Sequence, residues 1–262
     1  MVRLSFLAAT LMLISVPAIG QTAADELVAG RDAYRSGDYD AAAQHLQKVI
    51  ALSPELTVAH LYLGICYAQQ YIPGTDTPEN VAVAESGINE FKLVVSSNAP
   101  PDQKIAALRG MGSLLFNMKQ FEPAKEVYSQ LIDLAPDEAT SYYQIAVIDW
   151  TQSYTPRMEL RASMDLQPTD EITTPSTCSL LRSMNEKKVE DGIGKLHKAL
   201  ELRPEYDDAM AYMNLLYREK AEYECDDPEQ RQADLKAADQ WVDLAIQVKK
   251  AKAEKVAQPT PQ

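Results

Sequence analysis

The sequence predicts an all-α protein, an α-solenoid of stacked antiparallel helix pairs, and three observations carry the prediction. Gly30, Ala42, Leu46 and Pro54 stand 12, 4 and 8 residues apart, and Gly112, Ala124, Tyr128 and Pro136 repeat that spacing. A fixed internal period marks a supersecondary unit that cannot bury its apolar face alone and must stack on its neighbours. Apolar residues between these positions recur at helical spacing, as in Leu46, Val49 and Ile50. Glycine turns such as Gly37 and helix-ending prolines such as Pro54 and Pro136 separate the helical stretches.

Taken in order, the first unit (about 23–56) opens with a helix carrying Leu27, Gly30 and Tyr34. Ser36-Gly37-Asp38-Tyr39 makes the turn, with Asp38 placed to cap a second helix from Ala41 to Leu52. The second unit (about 57–100) opens with His60-Leu61-Tyr62-Leu63-Gly64-Ile65-Cys66-Tyr67 but resumes 11 residues late, at Gly87, Phe91 and Val94, with Ala99 where proline is expected. The third (about 105–138) is regular. In the fourth (about 139–206), Ala146 and Gly192 are 46 residues apart where the ruler asks for 12, so 34 residues are extra. The fifth (about 207–248) carries Met210, Met213, Asn214 and Tyr217, then Ala238, Val242 and Ala245, with 12 extra.

The resulting insertions, near 70–80, 151–186 and 223–233, all fall between the paired helices of a unit. Each begins with turn chemistry: Tyr71-Ile72-Pro73-Gly74, Thr155-Pro156 and Asp226-Asp227-Pro228. Thr77-Pro78 and Asp227-Pro228 read as helix starts. The longest insertion is expected to hold a short helix near Met158 to Met164 and a Pro/Thr/Ser-rich loop from Gln167 to Ser179. Residues 249–262 read as a Lys-rich helix end and a frayed tail.

Composition narrows the classes of function. The chain of 262 residues is 46% hydrophobic and 24% charged, ordinary for a folded protein, and its 10 glycines form no flexible linker. A formal net charge of −13 argues against nucleic acid or an anionic membrane surface and favours basic or neutral partners. Arg3, the apolar run from Leu4 to Ile14 and the small-residue site at Ala18-Ile19-Gly20 make residues 1–20 a Sec-type signal peptide. The mature chain is therefore expected in the periplasm or outside the cell, with no membrane insertion. An uncleaved anchor is the rival reading, but the run falls short of the ~20 residues needed to span. Of three cysteines, Cys66 reads as a core residue. Cys178 and Cys225 lie outside the repeat pattern and could pair, although an odd count sets no framework.

The offsets resemble the tetratricopeptide repeat, W-x2-L-G-x2-Y, then A-x3-F, then P. The third unit matches it at Leu108, Met111, Gly112, Phe121, Ala124, Tyr128, Leu131 and Pro136. The resemblance implies a right-handed superhelix whose first helices line a concave groove for a peptide or protein partner. Carried over unit by unit, the groove positions are Arg31, Tyr34 and Arg35; Ile65 and Gln69; Arg109, Phe116 and Asn117; then Tyr143, Val147, Trp150 and Arg218. Large aromatics such as Tyr143 and Trp150 make interface anchors, and arginines can clamp a carboxylate. The competing roles are Trp150 packed on the long insertion and arginines paired internally.

Nothing in the sequence points to catalysis, a cofactor or a metal. His45, His60 and His197 form no i, i+4 pair, and no phosphate loop or nucleophile elbow is present. The acidic pairs Asp207-Asp208 and Asp226-Asp227 read as helix-start residues. The expected role is a non-catalytic scaffold or adaptor in a bacterial cell envelope. The alternatives are an envelope enzyme or its accessory subunit using 151–186 as a lid, and a self-assembling structural protein.

Overall fold

The computed structural model describes residues 22–167, 170–172 and 174–257. The expected signal peptide and the end of the tail lie outside the described residues. Among the described residues ten helices form and no strand. They pair in chain order as α1 (Ala23–Arg35) with α2 (Tyr39–Leu52), α3 (Thr57–Gln70) with α4 (Pro78–Ser96), and α5 (Pro101–Asn117) with α6 (Phe121–Leu134). The last two pairs are α7 (Ala139–Ser163) with α8 (Pro175–Leu202), and α9 (Asp207–Tyr223) with α10 (Pro228–Ala257). Each helix packs on the next, so the architecture is an all-α solenoid. No described helix is long and apolar enough to cross a membrane.

Local chemistry explains the boundaries. Thr22 and Asp25 make a reciprocal capping box at α1. Gly37 turns the chain at φ +81°, a conformation that costs a glycine little, and Asp38 caps α2 through Ala41 N–H. Thr77 caps α4, with Pro78 at its first position. The connection before it is pinned by Asn80, which accepts from Ile72 N–H and donates to the Ile72 and Thr75 carbonyls. At α10, Asp227 accepts from Gln230 N–H.

The longest insertion differs from its sequence reading. Thr155-Pro156 does not turn the chain; Pro156 lies inside α7, and the helix expected as a separate piece at Met158–Met164 continues α7 to Ser163. A proline inside a helix forfeits one backbone bond. Here the turns beyond it are held by buried charges. Arg157 makes a two-pronged pair with Glu219 at 2.8 Å on each prong, and Arg161 binds Glu222 at 2.9 Å and the carbonyls of Gln167 and Asp170. At the other end, α8 starts at Pro175, so Cys178 is helical rather than in a loop. What remains between α7 and α8 is a short connection tied down by Arg161 and by Arg231–Glu171 at 3.1 Å. The extra length of this unit is mostly two longer helices.

Cys178 and Cys225 are joined, with Cα atoms 5.8 Å apart. Arg182 reinforces the staple by donating to Asp226 and to the Tyr223 carbonyl. Because the bridge closes a loop with a sequence separation of 47, Cys178→Ser is expected to cost about 2–4 kcal/mol in urea unfolding. Identical unfolding curves for variant and parent would contradict that expectation. Lysines beyond residue 248 remain in α10, where Lys252 pairs with Asp207 and Lys255 with Glu205 at 3.0 Å. These contacts clamp the last helix onto the start of α9.

The core runs along the stack in three clusters, around Leu46 and Cys66, around Phe91 and Leu131, and around Leu181 and Leu216. Burial pushes the Cys66 thiol up to about 11. At the junction of α6, α7 and α8, fully buried Asp149 accepts from Lys125 Nζ at 2.6 Å. Burial outweighs Lys125 and pushes the Asp149 carboxyl up to about 7 from 3.8. Between those values the native chain holds a proton that the unfolded chain has released, so stability falls as pH rises through this window and the full cost stands above about pH 7. Asp149→Asn is expected to flatten the fall of melting temperature between pH 4 and 7; an unaltered slope would refute it.

Candidate functional site

The sequence-derived residues distribute unevenly over the first helices of the pairs, α1, α3, α5, α7 and α9. On α1, Tyr34 packs edgewise between Tyr39 and Tyr62 at centroid distances of 5.7 and 5.8 Å. Arg35 pairs with Asp32 at 3.5 Å, while Arg31 is exposed. On α3, Ile65 packs into the core and Gln69 is exposed. Val147 of α7 is buried. Arg218 is tied to Asn214 and to Asp239 of α10. These residues do not form one patch.

Two contiguous surfaces flank α7. On its α5 side lies a cleft of about 370 Å³, lined by polar and apolar side chains together, Tyr128 and Leu131 of α6 among them. It gathers Arg109, Phe116 and Asn117, and adds Glu138, Ser141 and Gln144, which sequence reasoning missed. Glu138 occupies the N-cap position of α7 without capping it; instead its Oε1 receives Arg109 at 2.7 Å. The other oxygen, Oε2, is buried without a hydrogen-bond partner, as is the Ser141 hydroxyl. Phe116 packs on Phe121 at 5.9 Å.

On the α9 side lies an aromatic strip. Tyr143 meets Tyr206 at 5.0 Å and Tyr212 at 5.5 Å; Tyr212 meets Trp150 at 5.5 Å; Trp150 stacks on Tyr154 at 5.0 Å. Residues 143, 150 and 154 share a face of α7 because their spacings of seven and four approximate whole helical turns. The rings are half-buried except Tyr154, which is 37% exposed and Tyr206, which is buried. Burial pushes the phenols of Tyr143, Tyr206 and Tyr212 up, and all three are pushed further by the Asp208 carboxylate. Guanidinium groups sit over both ends, Arg203 at 4.3 Å from the Tyr206 ring and Arg157 at 5.2 Å from Tyr154.

Trp150 thus takes a mixed role: it packs on Tyr154 of the lengthened helix and still forms part of an open surface. Arg109 and Arg218 are paired internally. The position of Tyr212 is set by how α9 docks on α7, and the only hint in the sequence is the density of tyrosine at 206, 212 and 217. His60 contacts Glu90 at 2.6 Å and the Pro54 carbonyl at 2.9 Å. Among the described residues no cluster of three His, Cys, Asp or Glu side chains could hold a metal.

Comparisons with known proteins agree with this geometry. Residues 27–73 and 110–138 each match a family model described as tetratricopeptide repeat. The solved structure of the MamA protein superposes with a TM-score of 0.58 at 16% identity, covering 91% of this chain and 98% of its own. MamA from Desulfovibrio magneticus RS-1, residues 41 to the end, gives 0.57 at 16% identity, over 89% of this chain and 98% of its own. YrrB, described as a tetratricopeptide-repeat protein with an unusual peptide-binding site, gives 0.53 at 13% identity, over 87% and 92%. No curated protein sequence matches the chain. At these identities the structural likeness speaks for the fold, and the repeat matches speak for the family: the chain is a tetratricopeptide-repeat protein.

Proposed function

We propose that this chain is a non-catalytic scaffold of the bacterial cell envelope that holds an extended peptide or protein segment across α5, α7 and α9. The observation that carries the proposal is the sharing of α7 by a cleft edged with Ser113, Asn117, Thr140 and Gln144 and a partly open aromatic strip. An extended segment can hydrogen-bond the polar side chains of the first with its amides and cover the second with its side chains. Tetratricopeptide repeats are interaction modules, and the YrrB description supports a peptide as occupant. The apolar, Arg3-led start of the sequence supports export.

A photo-crosslinking amino acid at exposed Ser113, which lines the cleft, tests this reading in the native host. It is expected to yield a discrete adduct in the envelope fraction. The same group at exposed Ser129 of α6 is expected to give none. Trp150→Ala should reduce the adduct about tenfold or more, as for an anchor worth about 2 kcal/mol. Equal adducts at both positions, or recovery indifferent to Trp150, would overturn the proposal.

A further inference from the structure

Resting on that reading, we infer that the segment held on this face is basic, and that a lysine or arginine side chain lies on the aromatic strip beside Asp208. The fold already shows what these rings accept. Arg203 covers Tyr206 and Arg157 covers Tyr154, each within the range where a ring face attracts a cation. The middle of the strip, Tyr143, Tyr212 and Trp150, carries no such group among the described residues.

Charge around the middle rings points the same way. Asp208 is exposed in the first turn of α9, and among the described residues it takes part in no hydrogen bond or ion pair. Its charge is nonetheless felt by all three neighbouring phenols. Of the nearby cations, Arg157 is paired with the Glu219 carboxylate, and Arg203 lies over the Tyr206 ring and against the Thr140 hydroxyl rather than over the middle rings. The strip half of the face therefore asks for positive charge, on a chain whose net charge is −13. An acidic segment would bring its carboxylates against Asp208.

The test uses the purified full chain carrying Trp241→Phe, which leaves the Trp150 indole as the one tryptophan resonance. The probes are three acetylated, amidated nonapeptides built from Gly-Ser-X repeats with X as arginine, glutamine or glutamate. The arginine peptide is expected to shift the indole resonance at a concentration about tenfold below the glutamine peptide, and the glutamate peptide to leave it unmoved. Asp208→Asn should shrink the preference to about twofold, and Asp208→Glu should restore it. Equal action of the arginine and glutamine peptides, action of none, or a preference that survives Asp208→Asn overturns the inference. The Ser113 adduct is read separately. An adduct that persists beside a failed peptide preference leaves the scaffold reading standing, whereas loss of the adduct removes that reading and this one with it.

Discussion

Replacing Glu219 with alanine is expected to lower the unfolding free energy by about 3–5 kcal/mol, one of the two largest effects foreseen for a single side chain here. The Arg157 and Glu219 side chains are 11% and 2% exposed, so removal of the carboxylate leaves a guanidinium in the interior with both of its best bonds unmade. The loss is not the worth of the pair, since two charges taken from water cost almost what their attraction returns. The double variant Arg157→Met with Glu219→Leu should therefore recover most of the stability, because neither residual charge nor vacant space remains. Urea unfolding of the three proteins decides the matter. A single variant losing less than about 1 kcal/mol, or a double variant as unstable as the single, would show that the charges are not buried as described.

The second large effect lies at the other end of the stack. Phe91 of α4 is fully buried between α3 and α5, and its ring is walled by two glycines. A methyl group added at Gly64 would meet the ring at 2.8 Å, and one at Gly110 at 2.5 Å, distances that real side chains do not adopt. Phe91→Ala is expected to cost about 3–5 kcal/mol through lost burial and the cavity left behind. Gly110→Ala should cost about 1–3 kcal/mol by overpacking against that rigid ring. Combining Gly110→Ala with Phe91→Leu should cost less than the sum of the two single changes, because the shorter side chain vacates the contested space. Strict additivity in a double-mutant cycle would mean that the two positions do not touch.

These contacts show how far a sequence can be read. Gly64 and Gly112 are legible because they recur at repeat offsets, whereas Gly110 is off the ruler, and only the entry of Phe91 from the preceding unit explains it. The same limit governs the site. Tyr143 and Trp150 were reachable from their repeat positions, as were Arg109, Phe116 and Asn117 in the cleft. Tyr154 was obscured by Pro156, which signals a turn locally and yet sits within a helix whose later turns bind Glu219 and Glu222. The groove positions on α1 and α3 were legible as helix faces, but Tyr34 and Ile65 are occupied by packing.

Spacing alone determined the helix pairs, their caps and the places where the ruler breaks, because helix periodicity, proline geometry and capping act over a few residues. Tertiary structure decided what those breaks became. The fourth and fifth units grew longer helices held by Arg157, Arg161 and the Cys178–Cys225 bridge, whose partners lie more than 40 residues away in sequence. It also decided that Tyr206 and Tyr212 would extend the two anticipated aromatics into a strip. Such contacts depend on the register between neighbouring helices, and that register is set by how side chains interlock across units rather than by any local pattern.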